Sequence, residues 1–225
     1  MLDVRFSYSP RQDAINILCG FRSLNEPALS ELERAYLNSP FGRLTHSTAL
    51  SFVREHVASN AIDTAAAVSR VATIWQPLQT QFVERVEKLF QCTYPRPLIR
   101  GYLTIDTKCS YSVERNCFYV HLNDPNPAPG IMQQLFQFYL LYAWNGLERH
   151  APILRAHRRY DDLSEALTEL LNVLFADLMN GAVDAGLPQH SELRALIRNL
   201  WDTHHSLQGL FNDPRLLELL NRKSS

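Results

Sequence analysis

The chain has 225 residues, of which 46% are hydrophobic and 20% charged, with 22 Lys and Arg set against 23 Asp and Glu. That length supports one substantial core, or a small domain beside a larger one. The balanced charge excludes any argument from overall electrostatics for a nucleic-acid or membrane-surface protein. No apolar run reaches the roughly 18 to 20 residues needed to span a bilayer; the longest, Ile131 to Trp144, is interrupted by glutamines.

The opening MLDVRFSYSPRQD has no basic stretch followed by an apolar run, so no secretory signal is expected. Cys19, Cys92, Cys109 and Cys117 form no CxxC pair, which fits reduced thiols in a cytoplasmic protein. Cys109 and Cys117 are placed to face each other across a hairpin.

Taken in chain order, LDVRFSY alternates as a short strand, with Val4, Phe6 and Tyr8 on one face. After Pro10 the pattern turns helical. AINILCGF, PALSELERAYLN opening at Pro27, and TALSFVREHVAS each repeat apolar residues at spacings of three and four. A long helix is predicted from Asp63 to Gln91, with Pro77 inside it to kink or divide it. Pro95 and Pro97 then mark a change of period. LIRGYLTI and YSVERNCFYVHL, rich in β-branched and aromatic residues, read as two strands of a hairpin.

DPNPAPG is a loop whose last proline suits the first turn of the next helix. That helix is GIMQQLFQFYLLYAW. The basic linker ERHAPILRAHRRY leads to a second long helix from about Leu163 to Ala185, and SELRALIRNLWDTHHSL and DPRLLELLNRK add two more. The reading is α+β and mainly α-helical. Residues 1–95 are expected to form an N-terminal helical region packed on a core at 96–225, as one compact unit in which a small sheet or hairpin precedes a pair of core helices.

The apolar helix poses the sharpest question. With Gln133 at zero, Gln134 lies at about 100° and Gln137 at about 40°, so the three glutamines share one sector. Apolar residues fill most of the rest, and such a helix is normally buried. The glutamines therefore line a polar groove or hydrogen-bond within the protein.

Positions 133, 134 and 137 have the spacing of H-E-x-x-H, in which two histidines on one helix face hold zinc and the Glu serves as general base. The order of strand, proline-rich loop, apolar helix and second helix resembles the core of zincin metallopeptidases over residues 98–205. In the gluzincin branch the third ligand is a Glu on the second helix; the matching residue is Glu165, 28 residues after Gln137. FYVHLN at 118–123 is similar to the strand that borders the substrate cleft in that family. The resemblance implies a degenerate site made of Gln133, Gln134, Gln137 and Glu165. A carboxamide is a poor zinc ligand, and Gln134 has no basic oxygen to take a proton. The implied protein is a pseudoenzyme without catalytic residues, metal or cofactor, which holds a protein or peptide in a groove between residues 118–122 and the glutamine helix by strand addition.

Several alternatives stay open. Glutamine is a good helix former and suits an ordinary semi-exposed face. Asp162-Leu-Ser-Glu165 has the form of a capping box, so Glu165 has a purely local use, and Glu169 reads as a solvated or hydrogen-bonded helix residue. Arg149, Arg155, Arg158 and Arg159 concentrate positive charge and are candidates to grip an acidic partner, or to pair with Glu148, Asp161 and Asp162. His121 is a candidate for partner contact or a plain sheet residue. His204 and His205 are neighbours that point about 100° apart and converge poorly on one ion. A different class of function is a helical scaffold with a homo-oligomeric interface. A third is an active metal-dependent hydrolase using His150, His157 or His205 with Glu165.

Overall fold

The computed structural model of the chain describes residues 2–21, 29–150, 160–179 and 188–222, with backbone alone for 144–150, 160–162, 188, 217, 221 and 222. It is mainly helical with a small mixed sheet. The chain divides into two compact units that are discontinuous in sequence: residues 1–79 with 96–128, and residues 80–95 with 129–225. The boundary expected at 95/96 is one of the three places where the chain passes between units. The sheet belongs with the N-terminal helices, in a different unit from most of the glutamine helix.

In the first unit, β1 (Asp3–Tyr8) is followed by α1 (Pro10–Gly20), α2 (Glu31–Leu37), α3 (His46–Ser59) and the first part of α4 (Thr64–Phe90). Local chemistry starts these helices. Pro10 suits the first turn of α1, Ser30 and Glu33 form a reciprocal capping box on α2, and the Thr45 side chain caps α3. The Ala66 amide donates to the Asp63 carboxylate at 2.9 Å at the head of α4. Pro77 does not divide α4, which continues through it. The passage from one unit to the other falls just after it, between Gln79 and Thr80.

The sheet runs in the order β1, β2 (Leu98–Thr104), β4 (Cys117–His121), β3 (Tyr111–Ser112). The expected hairpin between 98–105 and 111–122 is not what forms. β2 and β4 run parallel, and the antiparallel partner of β4 is β3, cut from the front of the same predicted strand. The cut lies at Asn116, which takes φ 54°, a left-handed conformation that Asn tolerates. Cys117 to Val120 are all buried, as befits an inner strand covered on both faces. Across the sheet, Val4 pairs with Ile99, and Leu103 with Val120. Gly101 lets the apolar face close, because a Cβ there would come within 2.6 Å of the Phe6 ring.

The second unit takes the rest of α4, then α5 (Ala128–His150), α6 (Tyr160–Leu167), α7 (Glu169–Leu174), α8 (Ser191–His204), α9 (Leu207–Asn212) and α10 (Pro214–Arg222). Its core is aromatic: Phe82 meets Phe175 at 5.2 Å, and Phe90 meets Phe136 at 5.1 Å between ring centres. The single helix expected from 163 to 185 is two short ones broken at Thr168. The Thr168 hydroxyl turns back on the Glu165 carbonyl at 2.6 Å and also accepts from Arg194 at 2.7 Å. Residues 180–185 of that expected helix lie outside the described residues. No helix among the described residues is long and apolar enough to cross a membrane.

Candidate functional site

On α5, Gln133 and Gln134 are half-buried and Gln137 is buried. Gln137 Nε2 donates to the Ser164 carbonyl at 3.3 Å, while the Ser164 hydroxyl donates to Gln137 Oε1 at 2.5 Å. Both ends of this carboxamide are therefore engaged, by the residue that precedes Glu165. Glu165 itself is half-buried. The capping box expected at Asp162 falls inside α6, which is already helical at Tyr160.

Glu169 is a carboxylate buried in this unit, at 6% exposure. Arg194 Nη2 lies 2.9 Å from its Oε2, Arg198 Nε donates to Oε1 at 2.8 Å, and Asn172 donates to Oε2 at 3.0 Å. It is a hydrogen-bonded helix residue, as one alternative had it, though it is shielded from solvent.

Of the expected partner-binding residues, Arg155, Arg158 and Arg159 lie outside the described residues, as does His157, and only the backbone of Arg149 and His150 is described. His121 ends β4 half-buried, and burial lowers its pKa. His205 sits at the left-handed C-cap of α8. His204 Nε2 lies 2.9 Å from Asp213, whose carboxyl is held well below the usual range by the Arg215 guanidinium first and by His204 second.

The sheet edge corrects a further expectation. The Tyr119 amide donates to the Ser110 carbonyl at 2.9 Å, and the His121 amide serves the Cys109 thiol. The outer backbone edge of β4 is thus occupied by residues 109–112, which closes the 118–122 stretch to strand addition there.

A polar cluster that the sequence reading did not single out lies where β2 ends. Asp13 on α1 is fully buried. It accepts from the Thr104 hydroxyl at 2.6 Å and from the Ile105 amide at 3.2 Å. Burial raises its pKa to about 7 against the opposing effect of these donors. Asn16, one turn on, donates to Thr104 at 3.1 Å and to the Lys108 carbonyl at 2.7 Å, and accepts from the Ser110 hydroxyl at 2.7 Å. Asp106 is buried too, and burial raises its pKa. The Glu33 carboxylate pairs with Lys108 at 2.9 Å, and Gly20 makes room for it, since a Cβ there would collide with Glu33 Oε1.

Carboxyl ends of parallel strands are where open α/β sheets bind ligands, yet Asp13, Thr104 and Asp106 expose none of their surface. What the arrangement does chemically is fasten the 105–110 loop to α1. A usable signal was present in the sequence: Asp13 and Asn16 stand three apart on the otherwise apolar DAINIL stretch.

Among the described residues, no group of three or more His, Cys, Asp or Glu is arranged to hold a metal ion. Compared with protein-family models, curated proteins and solved structures, the chain matches none.

Proposed function

We propose that this chain is a non-catalytic binding protein with a metallopeptidase-like pair of helices, taking a protein or peptide as its ligand. The observation that carries the reading is the bonding of Gln137. Positions 137 and 165 stand where the resemblance puts a second and a third zinc ligand, on two different helices. The two helices meet in the core at Gln137 and Ser164, the neighbour of Glu165. In a zinc enzyme of that plan the metal ties the helices together. Here a neutral carboxamide, a hydroxyl and a carbonyl make the tie, and none of the three supplies a charge or a basic site for hydrolysis.

Restoring the motif tests the reading. The Gln133→His, Gln134→Glu, Gln137→His variant should take up close to one zinc per chain in equilibrium dialysis, and adding Glu165→Gln should reduce that uptake. Circular dichroism checks that the variant is folded, since a new side chain enters a buried position. A folded variant with no more zinc than the native chain would remove the positional resemblance. Zinc-dependent peptide hydrolysis by the native chain would remove the non-catalytic reading.

A further inference from the structure

The strand-bearing unit carries a row of cations on one face of its sheet. Arg5 on β1 and Arg100 on β2 are register partners, and Cys117 on β4 continues the row. Side chains in register on neighbouring strands share a face and rise about 4.8 Å apart, so two guanidinium stems stand side by side. Both arginines are exposed. Arg115, exposed in the turn before β4, stands two residues ahead of Cys117; burial raises the Cys117 pKa, and the cations that oppose the rise are Arg115 and Arg100.

Little on this face offsets that charge. Asp3 accepts from Arg5 Nε at 2.8 Å, with both side chains largely exposed. Arg100 has a long bond of 3.5 Å to the Tyr102 hydroxyl. Among the described residues neither Arg100 nor Arg115 has a carboxylate partner. Like charges directly opposite each other on adjacent strands are unfavourable, so the row costs stability in the free protein and is relieved by an anion.

The next row decides what kind of anion. It holds Ser7, Tyr102 and Tyr119, with the two tyrosine rings 6.0 Å apart. Binding single-stranded nucleic acid through such a face needs open rings on which bases stack. Tyr119 is only 3% exposed and its hydroxyl is tied to Gln12 of α1 at 3.1 Å, while Tyr102 is half-buried. The stacking platform is missing, and the forked donors that match carboxylates remain.

We propose that Arg5, Arg100 and Arg115, with the Tyr102 hydroxyl beside them, form a docking site for an acidic segment of a protein partner. The proposal deepens the binding role given above by naming its ligand chemistry. It uses residues of the sheet and of the turn before β4 and none of the glutamine helix, so the zinc-uptake test and the test below fail independently.

The full chain is titrated at low salt against a fluorescein-labelled Glu-rich peptide, its Gln-for-Glu counterpart, a single-stranded oligonucleotide and inorganic phosphate, with anisotropy or competition as the readout. The acidic peptide should bind, the Gln peptide should not, and physiological salt should weaken binding markedly. Arg100→Gln and Arg115→Gln should each weaken it by about three- to tenfold, and the triple variant with Arg5→Gln should abolish it. Arg54→Gln, on the exposed side of α3, removes the same charge elsewhere and should leave binding unchanged. The three positions are exposed, so the variants should keep the native circular dichroism spectrum. Failure of the acidic peptide to bind overturns the proposal. So does equal loss with Arg54→Gln, or an oligonucleotide that binds more tightly and is lost in the same variants.

Discussion

Each unit buries carboxylates, and two of them, Glu169 in one and Asp13 in the other, meet the cost of burial in opposite ways. Glu169 keeps its charge company: two guanidinium groups and a carboxamide surround it. Asp13 has hydroxyl and amide donors, and its own pKa rises until a proton is held near neutrality. A buried ion pair recovers through Coulomb attraction what desolvation removes, and fails badly when one member is deleted. A buried acid among neutral donors avoids that dependence and becomes sensitive to pH instead.

The largest effect should come from breaking the ion-paired solution. Arg194→Met leaves Glu169 with the half-exposed Arg198 and takes a donor from Thr168; it should lower unfolding free energy by about 3 kcal/mol in urea titrations. The double variant with Glu169→Leu should recover part of that loss, because no unpaired charge remains.

The proton-dependent solution should respond to pH in a defined direction. The unfolded chain releases the Asp13 proton near pH 4, whereas the folded chain holds it to about pH 7. Between these values the unfolded state binds fewer protons, so this group's contribution to stability is full at the acid end and is lost as pH rises through 7. Asp13→Asn, which stays neutral, should flatten that slope in denaturation curves measured across the window. Asp13→Ala strands the Thr104 hydroxyl and Ile105 amide and should cost about 2 kcal/mol at the acid end of the window, and less as pH rises through 7.

A third arrangement, wholly neutral, gives a smaller expected effect. Gln137→Leu leaves the buried Ser164 hydroxyl without its acceptor and should cost about 1 to 2 kcal/mol, partly recovered by Ser164→Ala. Smallest of all is the exposed pair of Arg85 and Asp177, bonded twice at 2.7 Å. Arg85→Ala should leave the urea midpoint within experimental scatter at physiological salt, despite that geometry.

How far the sequence disclosed these features depended on how local their causes are. The helices at 31–37 and 46–59 and the extended segments at 3–8, 98–104 and 117–121 follow from nearby residues, and their existence was legible, although the caps at Ser30 and Thr45 were not the starts expected at Pro27 and Thr48. The pairing of β2 with β4 was not, because β-branched and aromatic content marks a strand as extended without naming its neighbour. The uninterrupted burial-prone run CFYV was the one clue to an inner position. The break at Thr168 was hidden for a similar reason: apolar residues continue on both sides, and the arginine that holds the break comes from α8. Glu169 was recognisable as a hydrogen-bonded residue, whereas its partners Arg194 and Arg198 are too distant in sequence for spacing to reveal. The three glutamines were legible as an anomaly, and Ser164 as the answer to Gln137 was not.

The order of the sheet ties its completion to the direction of synthesis. β1 leaves the ribosome ahead of the other elements described, yet its partner β2 begins at Leu98, roughly ninety residues later, and β4 must then enter beside β2. At ordinary elongation rates β1 waits for several seconds or more with its ladder groups unpaired. In that interval the helices α1 to α4 can form from local contacts alone, while the parallel pairing, whose loop closure is long, comes late. A nascent chain stalled before Leu98 therefore presents a bare strand, VRFSY, to any chaperone or neighbouring chain.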